Sequence, residues 1–331
     1  MNKLHIFMLT GLMVLAGSSN TLAQDKSIFS LQWIANGNNF GVFAAKEQGL
    51  YRKANLDLDI QRGYGSGETA KRVATGTADM GIADAASVIV GRSNGLKVKQ
   101  VACLYERPPD AIFFIKGNRI SSPKDLEGRT IGATAGEATV NLLPIFAANA
   151  GFDNKKMEII NLSPSAKYAS LVAKTVDSIV GFVNEEPAIQ SAAQKTGLEV
   201  GRFVFSDYGI DYYSLGIIAS DDIIAKRPDL VRRVALATMQ GYASAIKNPQ
   251  AAADDFVKNY PESSRSIALQ QWDAALPLIL TDRTRKNGLG PIEKDKMLAT
   301  INLVAKFQRV DSSLAPADIY TAELMPTVPI E

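Results

Sequence analysis

The sequence predicts an α/β fold with two lobes, each built on a sheet flanked by helices. Short β-rich runs alternate with longer helical patterns from residue 28 onward, which is typical of sheets that carry helices on their faces. The order of elements restarts near residue 122. The 331 residues, 46% of them hydrophobic, are enough for two domains of about 100 to 200 residues each.

Strands and helices alternate through the first third of the chain. We predict its strands at 28–34, 56–61, 79–83, 99–104 and 111–116. Apolar residues at helical spacing predict a helix at 40–49, a second helix starts near Glu68 after the turn 65–67, and a third follows Asp84. Gly76 supplies the left-handed residue that ends the second helix.

Residues 122 to 220 repeat the alternation. We predict helices at 122–126 and 136–150, the second closed by Gly151, and strands at 130–133, 158–162, 178–183, 202–205 and 212–219. From Asp221 onward the pattern is nearly all helical. This order predicts one lobe at 28–112 plus 212–331 and the other at 113–211. A chain that crosses twice between lobes forms a hinge, and the cleft between the lobes is the natural site for a ligand.

The N-terminus predicts secretion. Lys3 gives a positive start, 6–16 is an apolar run, and 21–23 is a small-residue cleavage site before Gln24. We therefore expect 1–23 to be a cleaved signal peptide and the mature protein to be periplasmic. The apolar run is too short to span a membrane. No Cys lies directly after this run or at the predicted cleavage site, so we expect no lipid anchor on a processed N-terminal Cys.

Composition narrows the function. The formal charge of +2 offers no strong field for nucleic acid, so we expect no nucleic-acid partner. The one His of the chain, His5, lies in the predicted signal peptide, which removes Ser-His and Cys-His chemistry from the mature protein. The one Cys, Cys103, lies in the apolar run 101–104, and we expect it in a buried strand. No catalytic residue, metal site or cofactor is predicted.

Asp84 is a candidate ligand contact. It ends the predicted strand 79–83 at the carboxyl end, where open parallel sheets bind ligands, and Ala85 and Ser87 follow it at the start of a helix. Asp84 could instead cap that helix. The two roles are compatible, so both stay open.

Several motifs together carry a family resemblance. They are F-A-A-K-E-Q-G-L-Y (43–51), T-G-T-A-D-M-G-I-A-D (75–84), S-P-K-D-L-E-G-R-T-I-G-A (122–133), G-F-V-N-E-E-P-A (181–188), Y-S-L-G-I-I-A-S (213–220) and R-P-D-L-V (227–231). In this order the chain resembles the NMT1/THI5-like solute-binding proteins of ABC transporters, over roughly residues 28 to 250. That group includes binders of thiamine-pyrimidine precursors, aliphatic sulfonates, taurine and nitrate.

The resemblance implies a fold and a partner. Members have the two-lobe periplasmic binding protein fold (type II), in which each lobe is a mixed sheet flanked by helices. The lobes close on a small-molecule solute and present it to a membrane permease. We accordingly expect a monomer without a cofactor that serves an ABC permease.

The resemblance also suggests where the solute binds. It implies contacts from the loop after the first strand, from two facing helix N-termini, and from loops and strand ends around the cleft. With Asp84, Ala85 and Ser87, the candidates are Trp33, Asn38, Phe40, Ser66, Gly67, Glu68, Tyr105, Glu106, Thr134, Gly136, Glu137, Thr139, Asn184, Glu185, Tyr208 and Tyr213. Trp33 could instead pack in the core, and the helix ends could be ordinary caps.

The charges of these candidates favour one class of ligand. Glu68 and Glu137 fall in the first turns of helices, where each would compensate the helix dipole that an anion needs. Arg107 is the main basic residue near the expected cleft. Carboxylates accept hydrogen bonds from amino and ring N–H groups, and aromatic side chains stack on flat rings. We therefore expect a planar nitrogen-containing solute such as a pyrimidine precursor.

Three alternatives remain at this stage. The same transport role could serve a sulfonate, taurine or nitrate. A ligand sensor for a membrane receptor would use the same closed lobes. A pyrimidine-synthase-like enzyme would need the active-site His and the Cys-rich segment of the family's synthases, which the mature chain lacks, so we expect no enzyme.

Overall fold

Two five-stranded mixed sheets organise the chain. The computed structural model describes residues 23–308, 310–311 and 313–330, so the predicted signal peptide lies outside the described residues except for Ala23. The strands are β1 Asp25–Ser30, β2 Leu56–Gln61, β3 Met80–Asp84, β4 Val98–Cys103, β5 Asp110–Ile115, β6 Thr130–Ala133, β7 Glu158–Asn161, β8 Ser178–Phe182, β9 Val200–Val204 and β10 Leu215–Ser220. These sheets confirm the predicted α/β class.

The two sheets share one plan. The first has the order β2-β1-β3-β10-β4 and the second the order β7-β6-β8-β5-β9. In each sheet the first three strands are parallel, and the fourth, β10 or β5, is antiparallel to both of its neighbours. Each of these antiparallel strands is the first strand after the chain crosses from one sheet to the other. The crossing segments are 104–109 and 205–214.

Helices cover the faces of both sheets. The α-helices are α1 Phe40–Glu47, α2 Leu50–Lys53, α3 Ser66–Ala74, α4 Ala85–Ser93, α5 Ala138–Ala150, α6 Lys167–Val172, α7 Glu186–Gln194, α8 Asp221–Lys226, α9 Pro228–Lys247, α10 Pro249–Asn259, α11 Arg265–Ile279, α12 Asp282–Asn287, α13 Lys294–Phe307 and α14 Pro316–Ile319. Among the described residues, no helix has both the length and the apolar character needed to cross a membrane.

Local signals in the sequence explain most element ends. Gly76 and Gly151 have φ of 74° and 76° and follow α3 and α5, as predicted, because glycine enters the left-handed region without steric penalty. Cys103 is buried at the end of β4, which confirms its predicted position. Helix α5 begins at Ala138 rather than residue 136, because Gly136 has φ of 81°.

Two predicted strands differ from the structure by more than two residues at one end or both. The first was expected at 28–34, but β1 pairs with β2 only over Asp25–Ser30, and residues 31–34 leave the sheet toward the other half. The last was expected at 212–219, but β10 begins at Leu215, and Tyr212 lies in the crossing segment. In both places apolar residues continue past the strand because they pack between the two halves.

The C-terminal helices brace the crossing segments. Helix α13 contacts both α4 and α5, and Lys296 Nζ donates to the backbone oxygen of Glu106 (2.7 Å) and to Asp211 Oδ1 (3.2 Å). Arg283 of α12 pairs with the Glu106 carboxylate. The lobe bounds drawn from the sequence stay a prediction, although the crossings lie close to them.

Candidate functional site

A narrow cavity lies between the two sheets, on the side of the parallel strands' carboxyl ends. Its volume is about 20 Å³, little more than one enclosed water molecule requires. Its walls come from both halves of the chain. The lining residues are Gln32, Trp33, Asn36, Asn38, Gly65, Ser66, Glu137, Ala138, Phe182, Asn184 and Glu185.

The loop after β1 forms one wall. Asn36 caps a short 3-10 helix, since its Oδ1 accepts from the backbone N of Asn38 (3.0 Å) and its backbone N donates to Asn39 Oδ1 (3.2 Å). Gln271 of α11 accepts from the backbone N of Gly37 (3.0 Å). These bonds hold the loop against α11 and fix the direction of its amide side chains.

The opposite wall carries two carboxylates, each held by its own loop. Glu137 Oε2 accepts from the backbone N of Thr134 (2.9 Å). Glu185 Oε1 accepts from the backbone N of Phe182 (2.9 Å), and its Oε2 accepts from the hydroxyl of Tyr168 (2.7 Å). Both side chains are buried, so their position is set by the fold.

Lys167 completes this wall as a buried cation. Its Nζ donates to Glu137 Oε1 (2.5 Å), lies 3.5 Å from Glu185 Oε2, and sits 4.5 Å from the centre of the Trp33 ring. Burial lowers the pKa of Lys167, but the two carboxylates outweigh it and raise the pKa above its usual value. Burial raises the pKa of Glu137 to about 7, although Lys167 acts in the opposite direction. This wall of the cavity therefore carries two carboxyl groups and one ammonium group.

Four cavity residues carry buried polar atoms without a hydrogen-bond partner among the described residues. They are Gln32 Oε1, Trp33 Nε1, Asn38 Oδ1 and Asn184 Oδ1. Buried polar atoms in proteins are nearly always paired, and leaving one unpaired costs about 1–3 kcal/mol. Four such atoms around one cavity indicate a place where a bound molecule supplies the missing partners.

Backbone contacts close the cavity from both sides. The N of Gly67, in the first turn of α3, donates to the O of Gly136 before α5 (2.9 Å). Gly65 has φ of 132°, and a Cβ built there would lie 2.7 Å from the same oxygen. Asn184 Nδ2 donates to Asn36 Oδ1 (3.4 Å). The structure therefore shows a closed cleft, which must open to admit anything larger than water.

A second buried acid pair lies behind the cleft, at the crossing segments. Tyr212 OH is 2.5 Å from Asp110 Oδ2 and 3.2 Å from Asp84 Oδ2. Ser214 donates to Asp84 Oδ2 (2.6 Å), and Thr139 donates to Asp110 Oδ1 (2.7 Å). Burial raises the pKa of Asp84 to about 6. Burial and the charge of Asp84 raise that of Asp110 to about 8.

Six of the predicted contacts line the cavity: Trp33, Asn38, Ser66, Glu137, Asn184 and Glu185. Trp33 is 6% exposed, so it is buried as the core alternative requires and yet faces the cavity. Next to these residues lie Gly67, Glu68, Tyr105, Thr134 and Gly136. Their contact with a solute stays a prediction.

The other predicted contacts lie away from the cavity. Asp84 caps α4 by accepting from the backbone N of Ala86 (2.8 Å), which confirms the capping alternative. Ala85 and Ser87 are buried in the same turn, and Thr139 binds Asp110. Phe40 stacks on Trp272 in the core, with ring centres 5.5 Å apart.

Three further candidates lie near the crossing segments or on the far face of α5. Glu106 lines a separate surface groove with Arg107 and is bound by Arg283. Tyr208 packs edge-on against Phe146, with ring centres 5.0 Å apart. The hydroxyl of Tyr213 accepts from the backbone N of Glu293 (3.1 Å).

The sequence analysis missed part of the site. Gln32, Asn36 and Phe182 line the cavity without having been named as contacts, whereas Gly65 and Ala138 lie in the two facing helix N-termini, 65–67 and 134–139, that the resemblance implied. Asn36 had a readable signal, since the polar run 36–39 follows directly on a strand.

No local pattern indicates that Lys167 belongs to the site, because its partners lie 30 and 18 positions away in the sequence. The expectation that Arg107 is the main basic residue near the cleft is wrong, since the cation beside the cavity is Lys167 and Arg107 is exposed.

Comparison with known proteins gives consistent matches. A model of the family described as NMT1/THI5 like matches residues 36–252. The formylaminopyrimidine-binding protein of Halalkalibacterium halodurans is 23% identical over 292 residues, covering 86% of this chain and 87% of that protein. The riboflavin-binding protein RibY of Chloroflexus aurantiacus is 28% identical over 311 residues, covering 90% and 85%. More distant relatives are named 4-amino-5-hydroxymethyl-2-methylpyrimidine phosphate synthases.

Solved structures show the same fold. The alkanesulfonate-binding protein SsuA from Xanthomonas axonopodis pv. citri, bound to MOPS, aligns with a TM-score of 0.71 at 14% identity. The alignment covers 91% of this chain and 99% of that one. At this identity the likeness shows the fold and leaves the ligand open.

Proposed function

The chain belongs to the NMT1/THI5-like family, and from this premise we propose that it is the substrate-binding component of an ABC importer. In this role it binds a small planar nitrogen-containing solute in the periplasm and delivers it to a membrane permease. It acts as a binding protein and not as an enzyme.

The observation that carries the proposal is the incomplete hydrogen bonding of the cavity. Trp33 offers a flat face and an unpaired N–H donor, while Gln32, Asn38 and Asn184 hold unpaired buried amide oxygens. A small set of polar groups in an otherwise enclosed and partly aromatic cavity is the usual composition of a small-molecule site. A planar ring edged by N–H groups and acceptors satisfies these atoms and also stacks on the face of Trp33, which an aliphatic solute does not do.

The charge of the cavity favours N–H donors over anions. Glu137 and Glu185 line it, and no Lys or Arg is among the lining residues. Lys167 lies beside them and neutralises one of the two charges. Carboxylates accept hydrogen bonds from amino and ring N–H groups. Formylaminopyrimidine and riboflavin, the ligands in the names of two relatives, both contain flat nitrogen-bearing rings.

Lobe closure supplies the conformational signal for transport. The walls come from both sheets, and only the two crossing segments connect these sheets through the chain. A ligand drives closure by the difference in its affinity for the open and closed states, which contacts from both walls provide. We propose that the permease recognises the closed form.

A thermal-shift screen of residues 24–331 tests the proposal. The panel contains aminopyrimidines, other nitrogen heterocycles, polyamines, sulfonates and nitrate. A ligand at about 100 times its dissociation constant stabilises the folded state by roughly 2.7 kcal/mol, so the melting temperature should rise with the heterocycles. The shift should disappear in Trp33→Ala and persist in Tyr64→Ala, which alters an exposed aromatic residue outside the cavity. Shifts with sulfonates or nitrate alone would overturn the ligand class proposed here.

A further inference from the structure

Lys167 occupies a position that its structural role alone does not explain. It is the first residue of α6, it is fully buried, and its ammonium group reaches past two acids to the face of Trp33 in the opposite wall. Replacing a buried ion pair with apolar residues of similar volume is often neutral or stabilising. A lysine at this place therefore points to a function in the cavity.

The two acids around Lys167 cannot move away from the cavity. Each carboxylate accepts a backbone N–H from its own loop, and Glu185 also accepts from Tyr168. Lys167 Nζ forms an ion pair with Glu137 Oε1 at 2.5 Å and a longer one with Glu185 Oε2 at 3.5 Å. The two carboxylates are thus held in fixed positions, and the charge of Lys167 sets the net negative charge at the cavity wall.

The charges around the cavity can be counted. At pH 8, above the pKa of Glu137, Glu137 and Glu185 contribute two negative charges and Lys167 one positive charge. The next ionisable groups are Glu68 of α3, whose Oε1 lies 3.9 Å from Arg72 Nε, and Tyr168, whose proton is engaged by Glu185. One negative charge remains at the wall.

We propose that Lys167 is a specificity-determining residue: by neutralising one of the two cavity carboxylates, it makes the site select planar heterocycles carrying a single positive charge. The positive charge of the solute pairs with the carboxylate that Lys167 does not neutralise. Anions are repelled, and neutral rings bind more weakly because they leave the remaining charge uncompensated. The inference rests on the proposed function and specifies its substrate class.

Calorimetry with three pyrimidines of matched shape at pH 8 tests the inference. The probes are neutral 4-aminopyrimidine, the permanent cation 4-amino-1-methylpyrimidinium and the anion pyrimidine-4-carboxylate. In the wild-type protein the cation should bind at least about tenfold more tightly than the neutral ring, and the anion should not bind. The ratio of the dissociation constants of the neutral ring and the cation is the quantity to follow.

Variants change this ratio in opposite directions. Glu185→Gln removes one negative charge, so the ratio should fall to about one. Lys167→Met removes the positive charge beside the two carboxylates. Either both carboxylates stay ionised and the ratio rises about tenfold, or one of them takes up a proton, which it releases when the cation binds. That proton appears as a dependence of the binding heat on the ionisation enthalpy of the buffer. Lys167→Arg keeps the charge and should keep the ratio, and Lys155→Met, at an exposed position, is the control.

The outcomes separate the inference from the proposed function. An unchanged ratio in Glu185→Gln overturns the inference even if Lys167→Met fails to fold. So does an unchanged ratio without proton release in a folded Lys167→Met. Tight binding of the neutral ring with no preference for the cation in the wild-type protein also overturns the inference but leaves the proposed function standing. Failure of all three pyrimidines to bind, while sulfonates bind, overturns both.

Discussion

The two buried acid pairs of this protein differ in what completes them. Asp84 and Asp110 are hydrogen-bonded by hydroxyl groups of the chain, those of Tyr212, Ser214 and Thr139. Glu137 and Glu185 have Lys167 as a counter-ion and border a cavity whose amide oxygens lack partners. The first pair joins the two halves of the chain at their crossing segments. The second faces the space between them.

The difference shows that a buried carboxylate pair can serve either the structure or ligand binding. Burial is the largest cause of the raised pKa of acids in both pairs, so a shifted pKa does not identify the ligand site. The four unpartnered polar atoms gathered around one cavity do, because a network that is complete without a ligand has nothing to offer one. We therefore propose a structural role for the pair at the crossing and a ligand-binding role for the pair at the cavity.

The largest effect is expected from removing the cation of the cavity pair. Lys167→Met leaves two buried carboxylates without a counter-charge, and breaking a buried ion pair in this way costs about 3–5 kcal/mol. Urea denaturation at pH 8 should show this loss in the free energy of unfolding. Lys155→Met should change it by less than about 0.5 kcal/mol. A similarly small loss in Lys167→Met would show that the cavity pair needs no counter-ion.

The pair at the crossing should make stability depend on pH. Tyr212 has one hydroxyl proton but contacts both carboxyls, so both contacts are hydrogen bonds only when one carboxyl is protonated. In the unfolded chain both acids titrate near pH 4, whereas their folded pKa values are raised to about 6 and 8. The folded protein therefore binds more protons between these limits. Its stability is greatest at the acidic end and falls as the pH rises toward 8.

Asp110→Asn measures this contribution. Between pH 5 and pH 9 the free energy of unfolding of the wild-type protein should fall by at least about 1.4 kcal/mol more than that of the variant, the value of one pKa unit. Denaturation curves at several pH values provide the test, with Asp57→Asn at an exposed position as the control. Parallel pH profiles for the wild-type protein and Asp110→Asn would refute the proton shared by the crossing pair.

A side chain with an unpartnered oxygen should matter more for binding than for folding. Asn184→Ala removes that buried oxygen together with the long hydrogen bond from Asn184 Nδ2 to Asn36 Oδ1 (3.4 Å), so the free energy of unfolding should fall by no more than about 1 kcal/mol. Solute affinity should fall about tenfold, since the lost hydrogen bond is worth ~1.4 kcal/mol. Asn118→Ala, in the turn after β5, is the matched control. Equal affinities of both variants would contradict the role of Asn184.

The smallest effect is expected where the two walls touch. A Cβ at Gly67 would lie 3.2 Å from the O of Gly136, which is tight only in the closed state. Gly67→Ala should thus reduce affinity about threefold, or ~0.7 kcal/mol, without lowering the stability of the protein, because alanine favours the helix. Lys71→Ala, exposed on the same helix, should leave the affinity unchanged. A loss of affinity of the same size in Lys71→Ala would contradict the claim that contact between Gly67 and Gly136 limits closure.

Local patterns explain why so much of the fold could be predicted. Alternating apolar runs gave β2 and β6 their full bounds, and Gly76 and Gly151 end their helices as glycines in the left-handed region do. Such signals depend on neighbours within a few residues. The shifted ends of β1 and β10 show the limit, because there the apolar residues pack between the two halves.

The site was predicted only where the chain order places residues at the cleft. Trp33, Glu137 and Glu185 follow strands that end there. Asp84 also ends a strand, yet the side chain turns back to cap α4 and meets Tyr212, and this direction depends on a residue 128 positions away. The pairing of Lys167 across the chain is non-local in the same way. Sequence order indicates which strand ends meet, but long-range contacts decide which side chains face the solute.

The most direct measurement compares solute affinity in two variants that each remove one acid from one pair. Calorimetry with the cation 4-amino-1-methylpyrimidinium at pH 8 is done on the wild-type protein, Glu185→Gln and Asp84→Asn. Asparagine is a good helix cap, so Asp84→Asn keeps the start of α4. We predict that Glu185→Gln binds at least about tenfold more weakly and that Asp84→Asn binds within about twofold of the wild-type protein. Loss of affinity in Asp84→Asn with unchanged binding by Glu185→Gln would contradict the assignment of the solute to the cavity pair.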